Sequence, residues 1–180
     1  MRNRTPVVFL AGALALSAGN AAAVPYTFTN LYDTSGPFGE FRTTPSLNNS
    51  GTVAFFAILD SGERGVFTGS CGPTTTIADE GGRFIELPPS SPSLNESGTV
   101  AFSARLSTGE TGIFTGSGGP TTTLYDSSGP FRFFNLSGFN NSGTVAFFAD
   151  RDTLEAGIFT GSGGPTTTIA DSSGPLSRFG

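Results

Sequence analysis

The chain has 180 residues and a formal net charge of −5, with 9 basic residues, all arginine, against 14 acids. That balance gives no electrostatic reason to bind nucleic acid or an anionic membrane surface. The absence of histidine excludes a histidine-based triad and imidazole metal ligation, and the single cysteine, Cys71, excludes an intramolecular disulfide.

Residues 1–23 read as a signal peptide helix, outside the fold. Arg2 and Arg4 form a basic start, Val7 to Leu16 an apolar core too short to span a bilayer comfortably, and Ala21-Ala22-Ala23 a small-residue cleavage site. No lipobox cysteine follows. Export therefore leaves a domain of residues 24–180, with seven arginines facing fourteen acids and a net charge of about −7. Such an acidic surface suits solubility outside the cytoplasm.

The domain is a repeat. Asn48-Asn-Ser-Gly-Thr-Val-Ala-Phe55 returns as Asn95-Glu-Ser-Gly-Thr-Val-Ala-Phe102 and as Asn140-Asn-Ser-Gly-Thr-Val-Ala-Phe147, the glycines spaced 47 and 45 residues apart. In each copy an asparagine that can bond backbone two residues on precedes a glycine suited to positive φ: Asn48 and Gly51, Asn95 and Gly98, Asn140 and Gly143. The motif reads as a hairpin turn feeding an inner strand. Its small alanines, Ala54, Ala101 and Ala146, admit a neighbouring sheet; its phenylalanines, Phe55, Phe102 and Phe147, fill the space between sheets.

Taken in order, the first full unit predicts a strand over 52–57 apolar on both faces, hence covered on both. A turn at 60–64 leads to a second strand, Gly65 to Gly69, repeated at Gly112 to Gly116 and Gly157 to Gly161. Ser70-Cys-Gly-Pro73 is a tight turn in which Cys71 replaces a loop glycine of the later copies. Thr74 to Asp79 is a third strand, its threonines favouring extended backbone, matched at Thr121 to Asp126 and Thr166 to Asp171. A glycine- and serine-rich loop and an aromatic anchor follow: Phe84, Phe131 and Phe179. A weaker fourth strand lies around Phe84 to Leu87 and Phe131 to Leu136. No segment after the signal has helical periodicity.

Four short strands in this period match a β-propeller blade. The expected units are a partial 26–46, then 47–93, 94–138 and 139–180. Leu31 to Pro37 adds a fourth copy of the third-strand end, giving about three and a half four-stranded blades. The all-β array is expected to be an open arc, closed by self-association, or the product of a truncated gene. Bare terminal blades would invite self-association.

The pattern resembles the propeller repeats of the Tol-associated periplasmic protein, with Leu47 to Phe55 and Gly65 to Gly69 in the places of its first two pieces. It resembles more closely the bacterial NxxGxxAF tandem-repeat, or "choice-of-anchor", family, whose motif all three copies fit. That resemblance covers nearly all of residues 24–180 and implies an exported protein, usually with a C-terminal sorting or anchoring signal. This chain departs from it in reaching Gly180 without an apolar tail.

Chemistry is sparse. There is no phosphate-binding loop, paired-cysteine zinc site or calcium-loop spacing. Asp33, Asp79, Asp126 and Asp171 recur once per unit and could bind calcium or sugar hydroxyls, but an aspartate after a strand more simply caps a serine-glycine turn. Asp150 and Asp152 flank Arg151 in what reads as solvated surface. The sequons at Asn48, Asn95, Asn135 and Asn140 read as coincidence.

The expectation is a non-catalytic exported protein, structural or binding, at the cell surface or secreted. It has no expected cofactor or metal, no nucleic-acid partner, and no membrane insertion once the signal is removed. The alternative is a polysaccharide hydrolase or lyase with two carboxylates roughly 5–9 Å apart in a cleft.

Overall fold

The computed structural model describes residues 27–173. The signal segment, Pro175 and Phe179 lie outside the described residues. Those described are all-β, without a helix, and form fourteen strands in three antiparallel sheets.

The first sheet comprises β1 (Phe38–Phe41), β2 (Ser46–Leu47), β3 (Val53–Leu59), β4 (Arg64–Gly69) and β5 (Thr75–Asp79). Its order is β1-β3-β4-β5, and β2 also pairs with β3, so β1 and β2 are two pieces of one edge rung. The second sheet repeats this with β6 (Phe84–Glu86), β7 (Ser93–Leu94), β8 (Val100–Leu106), β9 (Thr111–Gly116) and β10 (Thr122–Asp126). In the third, the edge rung is continuous as β11 (Phe131–Phe139), followed by β12 (Val145–Arg151), β13 (Ala156–Gly161) and β14 (Thr167–Asp171). The prolines at 88, 89 and 92, which cannot donate to a ladder, account for the gap between β6 and β7; no proline falls within β11.

The sheets begin at Phe38, Phe84 and Phe131, out of phase with the repeated motif. The asparagine turn lies within each sheet, between its edge rung and its second rung. A unit counted from the motif, such as 47–93, therefore takes its last strand, β6, from the next sheet. The cause is local: the motif turn closes a hairpin, whereas the loops after Asp79 and Asp126 carry the chain to the next sheet. The partial N-terminal unit has no strand over 27–33; no described segment pairs with it there.

Burial follows the alternation. The central rungs β3 and β8 are covered on both faces, as their two apolar faces require. One core cluster joins Ala54, Phe56, Val66, Ile77 and Ala78 of the first sheet to Phe84, Phe102 and Phe114 of the second. Another joins Ala101 and Ile113 of the second to Phe131, Phe147 and Phe159 of the third. The phenylalanine trio of each sheet packs edge-on or tilted, with Phe84 and Phe114 centroids 4.9 Å apart and Phe131 and Phe159 4.8 Å apart. Such pairs add roughly 0.5–1.5 kcal/mol each beyond their area burial.

A bulge recurs in the last strand of every sheet, between Thr76 and Ala78, between Thr123 and Tyr125, and between Thr168 and Ala170. An extra residue lets two successive side chains turn to one face, where strict alternation would separate them. Ile77 and Ala78 thus both enter the core against the second sheet, and Leu124 and Tyr125 both pack against the third.

Candidate functional site

The twelve motif residues stand where two roles meet, closing a turn within a sheet and joining one sheet to the next. Gly51, Gly98 and Gly143 have φ of 80°, 81° and 80°, the left-handed region that glycine enters without a steric penalty. Each asparagine carboxamide oxygen accepts from the threonine amide four residues on, at 3.0, 2.9 and 2.9 Å. The serine amide two residues on also donates to Asn95 and Asn140, at 3.1 and 3.0 Å.

The carboxamide nitrogens reach outward. Asn48 Nδ2 donates to the Asn95 carbonyl at 3.2 Å, and Asn95 Nδ2 to the Asn140 carbonyl at 3.5 Å. A second line runs beside the first. Asn49 N donates to Glu96 Oε2 at 3.0 Å, and Glu96 N to Asn141 Oδ1 at 2.9 Å. Leu94 N also donates to Ser46 Oγ at 3.0 Å. The three turns therefore form a ladder across the sheets. Asn48 and Asn95 are buried within it. Asn140, its last rung, is exposed, and among the described residues its Nδ2 has no acceptor. The sequence signal for the second line was an acceptor-bearing residue after the asparagine in every copy: Asn49, Glu96 and Asn141.

Ala54 and Ala101 are fully buried against the following sheet; Ala146, with no further sheet described, is half-buried. Phe55, Phe102 and Phe147 are all buried.

At the opposite edge the seams differ. Cross-strand partners place Phe56, Val66 and Ala78 in one row of the first sheet, Ser103, Ile113 and Tyr125 in the second, and Phe148, Ile158 and Ala170 in the third. Each row carries one ring. It sits on the second rung in the first and third sheets and on the fourth rung in the second. Where Tyr125 supplies it, the second-rung residue shrinks to Ser103, a buried hydroxyl with no hydrogen-bond partner among the described residues.

Tyr125 lies 5.2 Å from the Phe147 ring, donates to the Gly164 carbonyl at 3.1 Å and accepts from Gly163 N at 3.1 Å. Tyr32, from the segment before the first sheet, repeats the arrangement: 5.2 Å from Phe55, with its hydroxyl donating to Gly72 O at 3.3 Å. These phenols depend on glycine beneath them. A Cβ on Gly69 or Gly161 would lie 1.9 or 2.0 Å from the Tyr32 or Tyr125 oxygen. The sequence carried this as an alternation, Leu-Tyr-Asp at 31–33 and 124–126 against Ile-Ala-Asp at 77–79 and 169–171.

Between the first and second sheets Ala78 leaves an open groove of about 320 Å³, lined by Ile77, Ala78, Asp79, Arg83, Phe84 and the Gly119-Pro120 turn, among others. The Arg83 guanidinium lies 5.6 and 5.3 Å from the Phe84 and Phe114 centroids and donates to the Thr121 carbonyl at 2.7 Å. A second groove, of about 220 Å³, carries Asp33. Each groove has one lining carboxylate.

Three of the four recurring aspartates act in their turns. Asp33, Asp126 and Asp171 accept from the amides of Ser35, Ser128 and Ser173 at 2.8, 3.0 and 3.1 Å. The Ser35 hydroxyl, then the Ser35 amide and Asn30, hold the Asp33 carboxyl below its ordinary pKa. Asp79 precedes no serine; there Glu80 accepts from Leu87 N at 2.8 Å. Arg151, between Asp150 and Asp152, lies over the Phe131 and Phe159 rings at 5.9 and 4.9 Å. No cluster of three or more metal-ligating side chains is present among the described residues. Cys71 is exposed with φ of 74°, the position that Gly118 and Gly163 take in the later turns.

The chain matches no protein-family model and no curated protein.

Proposed function

We propose that this is an exported, non-catalytic repeat protein: a propeller-like array of stacked sheets that serves as a structural or binding module at the cell surface or outside the cell, and that self-associates through its third sheet. Export rests on the leader-like residues 1–23. A non-catalytic role is supported by near-identical repeats in which three of the four recurring aspartates, Asp33, Asp126 and Asp171, accept from serines of their own turns.

The observation that carries self-association is a change of exposure at equivalent positions. Val66 and Ile77 of the first sheet are 2% and 4% exposed beneath the second, while Ile158 and Ile169, their counterparts in the third sheet, are 38% and 59% exposed. Apolar side chains that one sheet buries against the next are here exposed, beside Asn140, whose Nδ2 has no acceptor among the described residues. A second copy can bring the same patch, and two such patches related by a two-fold axis are self-complementary.

The test is sedimentation equilibrium on residues 24–180, together with an Ile158→Glu/Ile169→Glu variant. The reading expects a concentration-dependent dimer that the double variant abolishes while keeping its β-sheet circular dichroism. A wild-type monomer at about 100 μM, far above the micromolar Kd expected of a specific interface, would overturn self-association.

A further inference from the structure

The ladder of turns ends in donors on one side of the molecule and in acceptors on the other. At the third sheet Asn140 Nδ2 and Asn141 N, counterparts of groups that donate across the earlier seams, have no acceptor among the described residues. At the first sheet the matching acceptors are unused. The Asn95 and Asn140 carbonyls each accept from their own turn glycine and from the preceding asparagine. The Asn48 carbonyl accepts only from Gly51 N, at 3.1 Å, among the described residues. Glu96 Oε2 and Asn141 Oδ1 each take an amide from the preceding sheet, and Asn49 Oδ1, their counterpart, takes none among the described residues. The apolar faces match in the same sense. Phe84, Phe102 and Phe114 of the second sheet pack with Val66, Ile77 and Ala78 of the first. By position, the same two sets recur as Phe38, Phe55 and Phe67 of the first sheet and Ile158, Ile169 and Ala170 of the third.

A strap lies on the first of these faces. Leu31-Tyr32-Asp33 repeats Leu124-Tyr125-Asp126 of β10 and aligns with Ile169-Ala170-Asp171 of β14, but forms no strand. Its Tyr32 ring lies 5.2 Å from Phe55, as Tyr125 lies from Phe147. Its hold is the weaker of the two. The Tyr125 hydroxyl bonds both Gly164 O and Gly163 N at 3.1 Å, whereas the Tyr32 hydroxyl reaches only Gly72 O, at 3.3 Å, among the described residues.

We infer that the first sheet is a docking surface for the third sheet of another copy of this chain, closed in the resting chain by the Tyr32 strap. With the strap lifted, Ile169 and Ala170 of the incoming copy take the places of Leu31 and Tyr32 on the phenylalanine trio. Asn140 Nδ2 then donates to the Asn48 carbonyl and Asn141 N to Asn49 Oδ1, so the ladder runs on from one chain into the next. Such a contact is head-to-tail, joining two different surfaces. While the strap is down, a third sheet meets only another third sheet. This inference rests on the third-sheet self-association proposed above and adds the second surface that such a sheet fits.

The test mixes two forms of residues 24–180, each left with one live surface. Wild type, labelled and at trace concentration, keeps its third sheet and its strap. Tyr32→Asp/Ile158→Glu/Ile169→Glu loses the third-sheet patch and opens the first sheet, because a carboxylate cannot lie on Phe55. Sedimentation velocity is expected to show a one-to-one complex of roughly micromolar Kd. Ile158→Glu/Ile169→Glu with the strap intact should form none, and Tyr32→Phe, which keeps the ring, should stay closed. Asn49→Lys added to the open form turns an acceptor into a donor and should weaken the complex at least about tenfold. Should Tyr32→Asp lose its β-sheet circular dichroism, Tyr32→Ala takes its place with the same expectation. No complex from the folded open form overturns the docking surface. Equal binding by the strapped form overturns the strap, and an Asn49→Lys without effect overturns the continued ladder. A wild type that is monomeric by itself yet binds the open form supports this surface while refuting the third-sheet pair. A wild-type dimer that ignores the open form does the reverse.

Discussion

The two seams between the sheets are alike along one edge and unlike along the other. At the turn edge both are crossed by the same asparagine-to-carbonyl bond and the same backbone-to-acceptor bond. At the far edge one seam closes on Tyr125 over a glycine turn, while the other has Ala78, Arg83 and a groove. Hydrogen bonds need a given atom at a given place, so the sequence is held nearly constant where they cross. A core needs only volume, and the ring can move from Phe56 to Tyr125 provided its row partner changes from Ala78 to Ser103.

The sharpest way to break this comparison is to exchange the ring. Tyr125→Ala should cost about 2–4 kcal/mol, and Ser103→Phe alone about 1–3 kcal/mol through overpacking. The double variant should recover at least about 1 kcal/mol of their sum, because both side chains belong to one cross-strand row, on either side of Ile113. Urea unfolding of the three variants measures the coupling; strict additivity would show that the row is not a unit.

A smaller effect separates the glycines. Gly161→Ala must push the Tyr125 hydroxyl off its turn and should cost about 1–2 kcal/mol. Gly116→Ala meets only methyl groups at 3.2 Å and should stay within about 0.5 kcal/mol. Thermal unfolding of both distinguishes a phenol-occupied seam from an open one.

Much of this was legible in the sequence. Thr-Val-Ala-Phe-Phe-Ala gave a strand apolar on both faces, and three asparagine-glycine turns gave the left-handed glycines. The phase of the sheets was not legible, because periodicity repeats wherever counting begins; only hydrogen bonding shows that Phe84 starts a sheet. The ladder was hidden because an asparagine that caps its own turn looks the same whether or not its nitrogen reaches a neighbour. The last-strand bulges were hidden too, since Ile77 and Ala78 read as alternating faces.

Cys71 carries the turn conformation that its counterparts meet with glycine, so Cys71→Gly should stabilise by about 0.5–1 kcal/mol, read as a small rise in Tm. The least effect concerns Asp33. Its folded pKa is lowered by Ser35 and Asn30, so its contribution to stability is complete above the unfolded aspartate value of about 3.9 and is lost as pH falls through the lower folded value. Carboxyl-carbon NMR should place its midpoint below 3.9, and Ser35→Ala should raise it.

Side-chain amide hydrogen exchange tests the ladder most directly. The account predicts slowed exchange at the Nδ2 groups of Asn48 and Asn95, which donate across a seam, and rapid exchange at Asn140, which does not. Equal exchange at all three asparagines would contradict it.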